Sequence, residues 1–266
     1  MSAFSRATGI DALGDGAWRA TCDPGWNTQL GPNGGYLAAI ILRAMLAELG
    51  DEAREARSLT CHYLRPPGAG ELRLDVTVER SGRSLSTISA RLSQGGALCV
   101  LAVGAFAVDF RGAMDYAAEP PPMPAPAEVE RLAPVSIVPI TEHFEMRPTI
   151  GAPLYAGAPE SVSGGWLRFA EPQPLEAPAL AMFADAWWPS PLPRLTRPVA
   201  APTIDLTVHF RAPAAAAAIA EEPVLAVFRS STAADGFFEE DGELWSADGV
   251  LLAHSRQLAL LVDGGR

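Results

Sequence analysis

The chain contains no lysine: all 20 basic residues among its 266 are arginine. A Schiff-base lysine, a P-loop lysine and pyridoxal chemistry are therefore excluded. Positive charge is short overall. The formal net charge of −11 argues against general nucleic-acid binding. Cysteine is scarce. Cys22, Cys61 and Cys99 are spaced too widely for a zinc ribbon or a CxxC pair, and Cys99 lies in an apolar strand-like run where a reduced core thiol is expected. Long hydrophobic runs are missing too: those near Tyr36 and near Ala97 reach only about 14 residues, too few to span a bilayer. The opening MSAFSRATGIDALGDG has no signal-peptide apolar core, so a cytoplasmic setting is expected. No G-x-S-x-G string precedes a helix, which argues against a serine hydrolase. With neither a metal-ligand cluster nor a phosphate loop in view, no metal and no cofactor are expected.

What is present supports a sizeable core: 48% of residues are hydrophobic and 19% charged. Gly16 to Thr21 reads as a short strand. A Gly, Pro and Asn-rich loop then feeds a helix over Gly34 to Leu49, whose Leu37, Ile40, Ile41, Ala44 and Met45 recur at helical spacing before the Gly50 stop. Strands follow: Leu59 to Pro66, the strictly alternating ELRLDVTVER, and SLSTISARLS joined to ALCVLAVGAFAV by a Gln94-Gly95-Gly96 turn. Arg111 to Pro134 is proline-dense and reads as an extended connector. The second half then repeats the first in order. Trp166 answers Trp18 at an offset of 148, and LTVHFRAP, Leu206 to Pro213, answers LTCHYLRP with His209 for His62 at 147. EPVLAVFRS and the hairpin around Asp248-Gly249 complete the series. The pattern predicts one sheet per half, each wrapping its own helix, with the sheets meeting edge to edge and the helices facing each other across a pseudo-dyad.

The second helix is the chemical clue. APALAMFADAWWP, Ala177 to Pro189, reads as one apolar helix running to Trp188, with Asp185 its single charge. A carboxylate near the helix C-terminus opposes the macrodipole, so it has a partner or a task, or else is partly solvated or capped by an arginine. Thr203 opens the strand TIDLTVHF, and Gln257 shares strand parity with Leu251, Ala253, Ser255 and Ala259. A carboxylate, a hydroxyl and an amide can together hold a water. Asn33-Gly34-Gly35-Tyr36 offers helix-start N–H groups able to stabilise an oxyanion, although such a Gly-Gly step is most often plain packing. His62 and His209 hold equivalent strand positions and read as structural.

The GPNGGYL helix start followed by LTCHYLRPPGAGELRLDVTVERSGRSLSTISARLSQGG resembles the first half of the acyl-CoA thioesterase II family. ADAWWP, TIDLTVHFRAP, the Asp248-Gly249 turn and HSRQ resemble its second half. The resemblance runs from about Trp18 to Leu261. It implies an α+β double hotdog: two antiparallel sheets, each wrapped around a central helix, over residues 1–112 and 135–266, joined by a Pro-rich linker at 113–134. It also implies hydrolysis of an acyl-CoA thioester to free acid and CoA, in fatty acid metabolism. The family's triad falls on Asp185, Thr203 and Gln257. Gly34 and Gly35 become oxyanion donors, with Asn33 beside them in the substrate-binding start, and Met182, Trp187, Trp188 and Tyr36 become lining of the acyl pocket. AWWP is bulkier than the Phe-Asn usual after the family's aspartate, which implies an altered substrate. The alternative is a catalytically weak acyl-CoA or lipid-binding double hotdog. Dimers or tetramers are implied by the resemblance, although a double hotdog pairs its own sheets and allows a monomer.

Overall fold

The computed structural model describes residues 1–110, 112–114, 116, 118–212 and 222–262. Arg111, Asp115 and Ala117 of the Pro-rich stretch, Pro213 at the end of LTVHFRAP, and Asp263 to Arg266 lie outside the described residues. A short helix α1 (Ala3–Ala7) leads into β1 (Ile10–Gly14) and β2 (Ala17–Cys22). A two-residue hairpin, β3 (Asn27–Thr28) and β4 (Gly31–Pro32), precedes α2 (Gly34–Leu49). Then come β5 (Glu55–Tyr63), β6 (Gly70–Ser81), β7 (Leu85–Gln94) and β8 (Ala97–Ala107). The second half contributes β9 (Phe144–Ile150), β10 (Val162–Phe169), α3 (Ala177–Phe183), β11 (Thr203–Phe210), β12 (Val224–Arg229), the short β13 (Ala233–Ala234), β14 (Phe237–Trp245) and β15 (Leu251–Leu260).

The sheets expected for the two halves are continuous. One 13-stranded sheet runs β1-β2-β6-β7-β8-β5-β11-β15-β14-β12-β10-β9, with β13 on β14. The order is palindromic about the β5–β11 seam, as a two-fold repeat requires. Thr60 and Thr207, related by the 147-residue offset, are paired directly across that seam, and their hydroxyls lie 3.0 Å apart. The pseudo-dyad therefore passes between them. The repeat also takes in β1 and β9, one strand more per half than the sequence pattern shows.

Helix α2 begins where the Asn33 side chain accepts the Tyr36 N–H and ends where Gly50 takes a left-handed φ of 61°. Its expected stripe is fully buried: Leu37, Ile40, Ile41, Ala44 and Met45 are at most 2% exposed. Burying each of the larger side chains contributes about 1.5–3 kcal/mol as an upper bound. Helices α2 and α3 pack on each other inside the curved sheet, at a separation that only glycine permits. A Cβ on Gly35 would lie 2.7 Å from the Met182 carbonyl oxygen and 2.9 Å from that of Ala181.

The Pro-rich stretch is more than a spacer. β10 and β12 are apolar on both faces, so their outer residues need cover. Trp166, Leu225, Val227 and Trp245 form a second buried cluster there, with Met123 and Val129 of the stretch packed on it. The Trp166 indole donates to the Pro124 carbonyl at 2.9 Å, and Leu132 N–H to Met146 O at 2.8 Å. Among the described residues, no helix is long and apolar enough to cross a membrane.

Candidate active site

Helix α3 is shorter than its sequence suggests. It stops at Phe183 rather than Trp188. Asp185 and Ala186 donate to Met182 O and Phe183 O, a tightening that closes the last turn. Trp188 then precedes Pro189, a position that disfavours helical backbone. Asp185 thus sits past the helix end and turns toward the start of α2. Its Oδ2 accepts the Gly35 N–H at 3.0 Å, and its main-chain carbonyl accepts Asn33 Nδ2 at 2.6 Å. The carboxylate is not opposed by a helix dipole, as the sequence implied. It lies at the positive end of the partner helix, where an anion is favoured.

Protein surrounds this carboxylate although Asp185 keeps some solvent contact. Burial pushes its pKa up to about 6, against the opposing pull of the Gly35 and Gly34 N–H groups and the Asn33 side chain. Gly34 is fixed from its other side, because the Tyr63 hydroxyl donates to its carbonyl at 2.8 Å. Burial pushes the Tyr63 phenol well above its ordinary value.

A second group of polar side chains enters from the sheet. Thr203 Oγ1 donates to Gln257 Oε1 at 2.9 Å, so these two predicted partners meet. Gln257 Nε2 in turn donates to Glu240 Oε1 at 2.6 Å, and Ser190 N–H donates to Glu240 Oε2. Glu240 is 3% exposed and Gln257 6%. Burial raises Glu240 to about 7, and the nearby Asp185 charge pushes in the same direction. Among the described residues, Asp185 and the Thr203–Gln257–Glu240 group are two separate polar sets, near enough for the Asp185 charge to act on Glu240. Each of the groups has its own hydrogen bonds.

The sequence reading missed Glu240, Tyr63 and Ser190. A signal for Glu240 was available. In FFEEDGELW the buried positions alternate through Phe238, Glu240, Gly242 and Leu244, so one of the two adjacent glutamates must point inward.

The residues expected to line an acyl pocket divide. Tyr36 does not serve there: its ring stacks on Trp26 at 5.6 Å, and its hydroxyl bridges the Ala7 and Thr21 carbonyls while accepting the Asp23 N–H. It ties the N-terminal segments to α2 because a buried phenol needs partners. Met182 is fully buried in the inter-helix core. Trp187 and Trp188, two and three residues after Asp185, pack as a tilted pair with centroids 4.7 Å apart, and both indole N–H groups are buried without a hydrogen-bond partner among the described residues. His62 and His209 lie exposed on the outer face, outside the hydrogen bonds of Asp185 and Gln257, and His143 stacks on Trp26 at 4.1 Å.

Comparison with known proteins agrees with this architecture. Residues 22–107 match the acyl-CoA thioesterase N-terminal domain, and residues 117–261, more than half of the chain, match the acyl-CoA thioesterase C-terminal domain. A hot dog fold protein of Alicyclobacillus acidocaldarius superimposes with a TM-score of 0.92 at 26% identity, covering 98% of both chains. The acyl-CoA thioesterase II TesB2 of Mycobacterium marinum has the same fold, with a TM-score of 0.80 at 20% identity over 100% of this chain and 99% of that one. The thioesterase-like protein TwmA of Talaromyces wortmannii is 33% identical over 97 residues, which is 36% of this chain but only 28% of that longer protein.

Proposed function

Because the chain belongs to the acyl-CoA thioesterase family, we propose that it hydrolyses an acyl-CoA thioester to the free acid and CoA, with Asp185 as general base. One observation carries this reading: a carboxylate raised to about 6, held on the first N–H groups of the opposite helix. A base is most useful when its pKa lies near the working pH.

In the proposed reaction, Thr203 and Gln257 orient a water beside Asp185. Asp185 takes its proton as the oxygen attacks the thioester carbonyl. Ionised Asp185 occupies the Gly35 N–H. Once protonated, it accepts hydrogen bonds more weakly, and the Gly34 and Gly35 N–H groups become donors for the new oxyanion. Collapse breaks the C–S bond. The CoA thiolate leaves and recovers the proton from Asp185, which restores the carboxylate on its two glycines. Asn33 holds the Asp185 main chain in register throughout. Trp187 and Trp188, two and three residues beyond the base, are assigned in this reading to the wall that sets the shape of the acyl group.

Thiol release from short-, medium- and long-chain acyl-CoAs, followed with a thiol-reactive dye, tests this directly. Turnover of at least one chain class is expected. No release from any of them would leave the chain as an acyl-CoA-binding double hotdog.

A further inference from the structure

Thr203 and Gln257 could bond to each other in two senses. A hydroxyl donates as readily as it accepts, and a carboxamide presents either its oxygen or its NH2. In isolation the pair would have no preferred direction. Glu240 removes that freedom. Its Oε1 takes the Gln257 Nε2 proton at 2.6 Å and its Oε2 takes the Ser190 N–H. Both oxygens therefore face N–H donors, with the Ser190 hydroxyl beside them, and an acceptor at each oxygen satisfies the two N–H groups. With its NH2 committed to Glu240, Gln257 can offer Thr203 only Oε1. The single hydroxyl proton of Thr203 points at that oxygen, at 2.9 Å.

We propose that Glu240 is a positioning residue that sets the direction of the Glu240–Gln257–Thr203 hydrogen-bond chain and so leaves Thr203 Oγ1 as an acceptor for the attacking water. This rests on the hydrolase reading above. A water that gives one hydrogen to Thr203 and the other to Asp185 has a lone pair left for the carbonyl carbon. With the chain reversed, Thr203 would instead donate into that lone pair and block the attack. The carboxylate also fastens Ser190, hence the Trp187–Ser190 loop, to β14, so the wall and the water share one anchor.

Glu240→Gln is the test, since it keeps size and shape while placing an NH2 against one of the two donors. The chain has only four glutamines, Gln29, Gln94, Gln173 and Gln257, so selective nitrogen-15 labelling of glutamine gives a simple side-chain spectrum. Above about pH 7, where Glu240 is ionised, one wild-type carboxamide should show a downfield, slowly exchanging proton from its charge-assisted bond. It should vanish in E240Q as Gln257 turns over. On a hydrolysed acyl-CoA, E240Q should lose about 10- to 100-fold in kcat with KM unchanged. In a Thr203→Val background the same change should cost little more, because the hydroxyl it directs is gone. An unshifted Gln257 resonance, an equal loss in both backgrounds, or an E240Q protein that does not fold would each make Glu240 merely structural and overturn the proposal. The spectrum needs no substrate. A wild type without thioesterase activity would sink the hydrolase reading while the resonance still decides the direction of the chain.

Discussion

The two halves share a backbone plan and divide the chemistry between them. Across the sheet, Leu206 of β11 pairs with Gln257 of β15, which pairs with Glu240 of β14. The equivalent row in the first half, set by the 147-residue offset from Leu206 to Leu59, runs Leu59, Gly104, Ile88. Every member of both rows is buried. In the first half, the room left by Gly104 is taken by the Phe106 ring and Met45 Sδ, which a Cβ there would approach to 2.9 and 3.2 Å. The position of Thr203 is held by Ala56. One half therefore carries a polar network where the other carries packing. The first half supplies what the second lacks: an open helix start, Gly34-Gly35, on a 16-residue helix against the 7 residues of α3. A duplicated fold can thus hold one site rather than two, with the anion from one copy and the donors from the other.

Changes in the two rows should behave oppositely. The largest effect belongs to Asp185→Asn. Turnover should fall about 100- to 10,000-fold with the fold intact, the usual worth of a general base; steady-state kinetics beside a circular dichroism spectrum would show it, and near-normal turnover would remove Asp185 from the mechanism. Next is Gly35→Ala, which pushes a methyl into the α3 carbonyls. A loss of about 1–3 kcal/mol is expected, seen as a drop of several degrees in thermal melting together with lost activity, because the donor and its anion are moved apart.

pH should separate activity from stability. Burial holds Asp185 at about 6 and Glu240 at about 7, above their unfolded values near 4. The folded state therefore binds protons more tightly than the unfolded chain between those limits. The contribution of these two groups to stability is most favourable below about pH 4 and declines as pH rises through 6 and 7. kcat/KM should run the other way, falling below about pH 6 as the base is protonated. A D185N/E240Q double variant should flatten that part of the melting profile; an unchanged slope would mean that other groups set it. The smallest effect is expected from Ile88→Val in the apolar row. It should cost about 0.5–1.5 kcal/mol of stability and no turnover, and a clear loss of kcat would show that the first-half row reaches the chemistry.

Much of this was legible in sequence, for physical reasons. The stripe of α2 follows from local periodicity and the 147-residue echo of LTCHYLRP in LTVHFRAP from internal repetition, and the structure keeps both; the alternation of β6 holds through Leu72, Leu74 and Val76, but Val78, beside a register shift, is 38% exposed. The family resemblance put Thr203 beside Gln257, and they are bonded. The misreadings came from tertiary forces. Ala177 to Trp188 is apolar throughout, and nothing local reveals that the chain leaves the helix at Phe183 to bring Asp185 onto the other helix. The resemblance assigns Tyr36 to pocket lining, yet its hydroxyl is bound to Ala7 and Thr21. Proline density implies an extended connector, but Met123 and Val129 cover a face of β10 and β12 that would otherwise be wet. Glu240 could not be paired from sequence, since its partner Gln257 is 17 residues away across a hairpin.

The Thr60–Thr207 contact carries a consequence of its own. A residue on a two-fold axis is the one position that meets its counterpart, so the seam has the form of a dimer contact sealed within one polypeptide. Cut at the Pro-rich stretch, neither half would keep a satisfied edge: β5 and β11 would each expose a full row of N–H and C=O groups. Two first halves could close on one another, Thr60 against Thr60, into a symmetric assembly that is folded and silent, with two glycine-rich helix starts and no aspartate to receive.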